Sequence, residues 1–135
     1  MAYTTRELRI LYDAIITRLG TSTGKNIGDH VAPADQTHPY AVVYHRDETT
    51  GDNGTLADPT VVGVVEWQVT SVGVTADQAL WMAHKSRQAL NGWLPTVSGQ
   101  TFSPVTLDGS NAVQRDDDVQ PPRFYAVDRY TVFVN

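Results

Sequence analysis

The residues from Val61 to Gly92 constrain the chain most, because the hydrophobic period changes within them. The first half reads VVGVVEWQVTSVGV, which is rich in β-branched residues and alternates. Successive side chains of a strand point to opposite faces. Val61, Val65, Trp67 and Val69 therefore share one side, and Glu66, Gln68 and Thr70 the other. The second half, TADQALWMAHKSRQALNG, repeats at helical spacing. Ala79, Met82, Ala83, Ser86, Ala89 and Leu90 form a small-residue seam, with Asp77, His84, Lys85, Arg87 and Gln88 mostly outside it. Thr75 predicts an N-cap, Gln78 three residues on completes a capping box, and Gly92 supplies a left-handed stop. A strand that runs straight into a helix lets the helix fold back over its apolar face. Every other element must extend that sheet or pack on it.

A first helix precedes this unit. Thr4 caps it, Glu7 completes a second capping box, and Leu8, Leu11, Tyr12, Ile15, Ile16 and Leu19 make its core-facing stripe. Gly20 is the expected stop. Residues 21–38 are polar and rich in turn formers, which predicts a long loop with a short extended piece around Asn26–Val31. PYAVVYHR then gives a strand over Pro39–Arg46, with Tyr40, Val42 and Tyr44 on one face and Ala41, Val43 and His45 on the other. The stretch from Asp47 to Thr60 has four acidic residues, and Leu56 is its only sizeable apolar group. It reads as an overgrown hairpin loop, since a tight hairpin needs only about two to five residues.

Residues 93–104 are irregular, punctuated by Pro95, Gly99 and Pro104. Val105–Leu107 and Asn111–Arg115 read as short strands around an Asp108-Gly109 turn. The last strand is RFYAVDRYTVFV, Arg123 to Val134. Phe124, Ala126, Tyr130, Val132 and Val134 line one face; Tyr125, Val127 and Phe133 line the other. The pattern does not choose the inward face, and it suggests that a second subunit covers whichever face the helices leave. The expected fold is α+β, one domain over residues 1–135 in the order α-β-β-α-β-β. An antiparallel or mixed sheet of about four to five strands would carry two helices on one face.

Composition narrows the function. Cysteine is absent, which removes disulfides, thiolate metal sites and cysteine nucleophiles together. The net charge of −5 is the reverse of what a free-standing nucleic-acid binder needs to replace phosphate counterions. MAYTTRELRI lacks a basic region followed by an apolar run, so no secretory leader is expected. No apolar run approaches the ~18–20 residues that cross a bilayer. Of the four histidines, His30, His38, His45 and His84, no pair has helical metal-site spacing. His30 and His38 share a loop with Asp29 and Asp35, but solvated loop histidines are the simpler reading. No phosphate-binding glycine motif, nucleophile elbow or assembled nucleophile and base occurs. Asp116, Asp117 and Asp118 read as a solvated turn. Trp67 reads as core, while Trp81 lies off the helical seam and is a candidate interface anchor. No catalytic, cofactor or metal residue is assigned, and a structural or interaction protein is favoured over an enzyme.

With this order of elements, the chain resembles the tail terminator (tail completion) proteins of long-tailed phages. The resemblance rests on the first helix, TTRELRILYDAIITRLG, on PYAVVYH, on VVEWQVTSVGVTADQA entering a helix with a small-residue seam, and on the closing RFYAVDRYTVFV. It covers nearly the whole chain. It implies a virion subunit that closes into a six-membered ring on the head-proximal end of the tail tube. The implied partners are other copies of the chain, the tube protein and the head connector, with DNA passing through the centre unbound; neither cofactor nor membrane is implied. On that reading the candidate assembly contacts are Asp47, Glu48, Asp52, Asn53, Leu56, Asp58, Trp81, Tyr125 and Phe133, and the candidate channel acids are Asp116, Asp117 and Asp118. Another head-tail neck protein, or a small ligand-binding or enzymatic α+β domain, remains an alternative on the residues alone.

Overall fold

A computed structural model describes residues 5–46 and 63–134, with side chains from Arg9 onward. The expected Thr4–Glu7 cap, Leu8, Val61 and the loop from Asp47 to Thr60 lie outside what it describes. Helix α1 spans Thr5–Thr23, and Leu11, Tyr12, Ile15 and Leu19 of its stripe are buried. Gly20 does not stop it. The helix runs one turn further because Leu19 is fully buried and the Thr23 hydroxyl donates back to its carbonyl at 2.7 Å. That packing outweighs the ~1 kcal/mol that a helical glycine costs. Gly24, at φ 70°, takes the left-handed stop instead and donates to the Gly20 carbonyl.

Strand β1 (Ile27–Asp29) occupies the short extended piece expected in the loop, and it pairs in parallel with β2 (Tyr40–His45). β2 pairs antiparallel with β3 (Gly63–Gly73), from Tyr40 opposite Val72 to His45 opposite Trp67. β3 leads into α2 (Ala76–Leu90), whose buried residues are the six of the predicted seam. Thr75 caps it by accepting from the Gln78 N–H at 3.1 Å. The return bond differs from the expected box, since the Gln78 side chain accepts from the Val74 N–H rather than from that of the cap. At the turn between strand and helix, a Cβ on Gly73 would stand 2.5 Å from the Gln78 Cβ, so only glycine lets the two elements meet this closely.

Two short strands follow, β4 (Thr106–Ser110) and β5 (Gln114–Asp116). Asp108 and Gly109 do not turn the chain between them. They form an irregularity inside β4, where the register against the last strand shifts between Leu107 and Gly109. The predicted strand at Asn111–Arg115 is displaced to 114–116. Both short strands pair with β6 (Arg123–Val134), lying one after the other along its outer edge. The mixed sheet has six strands, in the order β1-β2-β3-β6-β4 with β5 also on β6. It exceeds the expected strand count through β1, the short extended piece at Ile27–Asp29.

Both helices cover one face. Val65, Trp67 and Val69 of β3 and Tyr130, Val132 and Val134 of β6 meet the α1 and α2 seams there, joined by Ala41 and Val43. Trp67 stacks on Tyr130 with ring centroids 5.9 Å apart. The even-numbered side of β6 is thus the inward one, which the sequence pattern left open.

Candidate assembly surfaces

The helix-free face is read off the strand register. Tyr40, Val72 and Tyr125 stand side by side, followed by the rows Val42–Thr70–Val127 and Tyr44–Gln68–Arg129, then Glu66 beside Thr131 and Val64 beside Phe133. Val42 and Val127 are buried even here, whereas Phe133 is 49% exposed. Tyr125 and Phe133, both expected as contacts, share this face but sit about 26 Å apart along the strand. At the Tyr125 end a groove of about 360 Å³ is lined by Gln36, Tyr40, Thr70, Val72, Asp116, Val119, Arg123 and Tyr125. Tyr125 donates to the Gln114 side chain at 2.7 Å.

Asp116 ends β5 opposite Arg123, and its carboxylate accepts from the Asp118 N–H at 3.0 Å. Asp117 is held by Arg115 and, like Asp118, is exposed. The run is therefore a local turn beside the helix-free face. Trp81 belongs to the opposite layer, on the outside of α2, so the structure does not bring it together with Tyr125 or Phe133. Asp47, Glu48, Asp52, Asn53, Leu56 and Asp58 lie outside the described residues.

Two polar constellations were not assembled from the sequence. The first is the Arg87–Asp128 pair. Asp128 sits on the inward side of β6 with no exposure, and the Arg87 Nε and Nη2 donate to its two oxygens at 3.0 and 2.9 Å. Those hydrogen bonds, against the cost of burial, raise the Arg87 guanidinium above its usual range. An acid on the apolar side of a strand was the available clue. The second is a cluster of Asp29, His30 and His45 at the ends of β1 and β2. His45 completes it, whereas His38 and Asp35, which share the loop with Asp29 and His30 in the sequence, take no part.

The cluster's chemistry opposes a metal. The His45 backbone N–H donates to His30 Nε2 at 3.1 Å, which leaves the ring proton on Nδ1, 2.9 Å from Asp29 Oδ1. A cation on Nδ1 would need the other tautomer and would set two donors face to face. Arg9 already supplies a positive charge, 2.9 Å from Asp29 Oδ2. Burial raises the Asp29 carboxyl, but the His30 hydrogen bond and Arg9 together hold it below its ordinary value. Burial first, then the adjoining His30 imidazole, push the His45 imidazole down to about 4. Its ring stacks on Tyr12 with centroids 3.5 Å apart. The cluster is a strut tying β1 and β2 to α1.

No family model and no curated protein matches the chain. Among solved structures, a chain in the virion of a native gene transfer agent particle is similar over 96% of this chain and 99% of its own length. The TM-score is 0.58 and the sequence identity 18%, a likeness of fold.

Proposed function

We propose that the chain is a structural virion protein of the tail terminator kind: a ring-forming subunit that caps the head-proximal end of a phage tail tube, stops its polymerisation and joins it to the head connector. The observation that carries this reading is the end-to-end likeness of fold to a virion chain, with neither partner left with a large unmatched part. The surfaces support it. A ring needs a heterologous interface that closes on itself. Among the described residues the sheet leaves one face free of helices, with exposed Phe133 on it, and Trp81 is exposed on the opposite layer. A non-enzymatic role is consistent with the two polar clusters, whose groups are committed to holding elements together. DNA would pass through the ring without specific binding, which the net charge of −5 favours.

The purified chain, mixed with tube protein, should form rings with a central hole in negative stain, and tubes should end at them. Replacing residues 47–60 by an Asn-Gly turn should leave the β2–β3 pairing intact and yet give overlong tubes. A chain that stays monomeric at high concentration with tube protein present would refute the proposal. Binding to portal or head extracts but not to tube would reassign it to another neck component.

A further inference from the structure

Trp81 is 40% exposed on the outside of α2, and the ammonium groups of Lys25 and Lys85 lie 5.7 and 5.8 Å from its ring centroid. Among the described residues neither ammonium pairs with a carboxylate. An exposed indole between two such cations is a knob with a positive collar. The cleft that suits it is aromatic inside and acidic at the rim.

The helix-free face carries such a cleft. In the groove of about 360 Å³ at the Tyr125 end, Tyr40, Val72 and Tyr125 form one cross-strand row, and exposed Val119 lies at the margin. Clefts of ~300–1,000 Å³ hold small ligands, so this one has room for an indole and not for a helix. Asp116 lines it beside the exposed Asp117 and Asp118. Arg123 offsets one of these three carboxylates and Arg115 holds Asp117, which leaves the rim a negative balance. We infer that Trp81 of one copy inserts into this groove of the neighbouring copy, with Lys25 and Lys85 facing Asp116 and Asp118. The inference rests on the ring reading and deepens it by naming both halves of a subunit contact. Interfaces concentrate their binding energy in tryptophan and tyrosine packed into such water-excluding pockets.

The fold requires the two halves to come from different copies. The row Tyr40–Val72–Tyr125 lies on the helix-free face and α2 on the other, with the backbone of β2, β3 and β6 between them. Both halves nevertheless stand at the same end of the strands, since Pro39 flanks Trp81 and the adjacent Tyr40 lines the groove. A copy docked front to back with its strands aligned therefore keeps its level along them. Head-to-tail steps without a rise close into a ring, whereas steps with a rise wind into a filament. Every group in the contact belongs to the described residues.

Charge exchange in the full chain tests the pairing. The first variant carries Lys25→Glu with Lys85→Glu, and the second carries Asp116→Lys with Asp118→Lys. Each alone sets like charges across the joint and should weaken ring assembly by about tenfold or more, read by sedimentation and negative stain. Mixed in equal amounts they should form rings again, because in a six-membered ring of alternating copies every joint then carries opposite charges. Trp81→Ala should weaken assembly by about tenfold or more on its own. Urea unfolding checks that each variant folds, and Trp81→Ala, a change at an exposed site, keeps the test decisive if a charge variant does not. Variants that assemble as the unaltered chain does, or two impaired variants whose mixture stays impaired, overturn the contact and leave the ring reading standing. Rings of the second variant alone that acquire duplex binding put the acidic turn on the channel wall and overturn the contact too. No rings from the unaltered chain, with tube protein present, removes the ring reading and the contact with it.

Discussion

Breaking the Arg87–Asp128 pair should have unequal consequences depending on which partner is removed. Asp128 has no exposure, whereas the Arg87 side chain keeps 28% of its surface. In Arg87→Met the carboxylate stays in the core without its two donors, and an uncompensated buried charge costs about 3–5 kcal/mol. In Asp128→Asn the shape is kept, and the freed guanidinium can turn to water through its open side. The loss is then about 1.5–3 kcal/mol, that of a charged hydrogen bond. The double variant should lose less than the sum of the two, because it leaves no stranded charge. Unfolding entropy for 135 residues is about 0.3 kcal/mol per kelvin, so a 4 kcal/mol loss lowers the midpoint by about 14 °C. Urea and thermal unfolding at one fixed concentration measure all three variants, with the concentration held so that assembly does not contribute. Asp128→Asn costing as much as Arg87→Met would refute the reasoning, since it would mean that the buried carboxylate is not the expensive partner.

Three further outcomes are expected. The His45 imidazole is lowered to about 4 in the fold and titrates near 6.5 when unfolded, so the unfolded chain binds the extra proton in that window. Stability should therefore fall on acidification from about pH 6.5 to about 4, by no more than about 3 kcal/mol; His45→Phe keeps the stack on Tyr12 and should flatten this slope, and an unchanged slope would exclude His45 as its source. Gly73→Ala should destabilise the chain by about 1–3 kcal/mol, because the added methyl meets the start of α2; a neutral result in urea unfolding would mean the turn relaxes freely. If Asp116, Asp117 and Asp118 line the channel, their joint change to Lys should give rings with salt-dependent duplex binding, whereas unchanged DNA affinity would locate them elsewhere.

The sequence was most legible where one interaction dominated. The α2 seam could be read residue by residue because burial on one helical face fixes the period, and Trp67 followed from strict alternation in β3. It was least legible where local preference met tertiary packing. Gly20 carries a stop that the burial of Leu19 overrides, and Asp108-Gly109 carries a turn that pairing with β6 converts into an irregularity. β6 looked apolar on both sides, and the buried Asp128 on its inward face made the pattern harder to orient. The Asp29–His30–His45 cluster joins residues up to 16 apart through a parallel pairing of β1 and β2 that no local pattern announces. Exposed Trp81 was legible as an off-seam aromatic, but its two lysine neighbours were not, since Lys25 arrives from beyond the other helix.

The outer margins of the sheet bear on how copies of this chain meet one another. One margin is β1, only three residues long, and the other is divided between β4, with its irregularity, and the three residues of β5. A long, flat margin would display a row of unsatisfied backbone groups and recruit any passing strand. Short and interrupted margins offer no such template. Copies can then reach high concentration without drifting into fibrous aggregates, and the encounters that persist are selected by side chains rather than by indiscriminate backbone pairing.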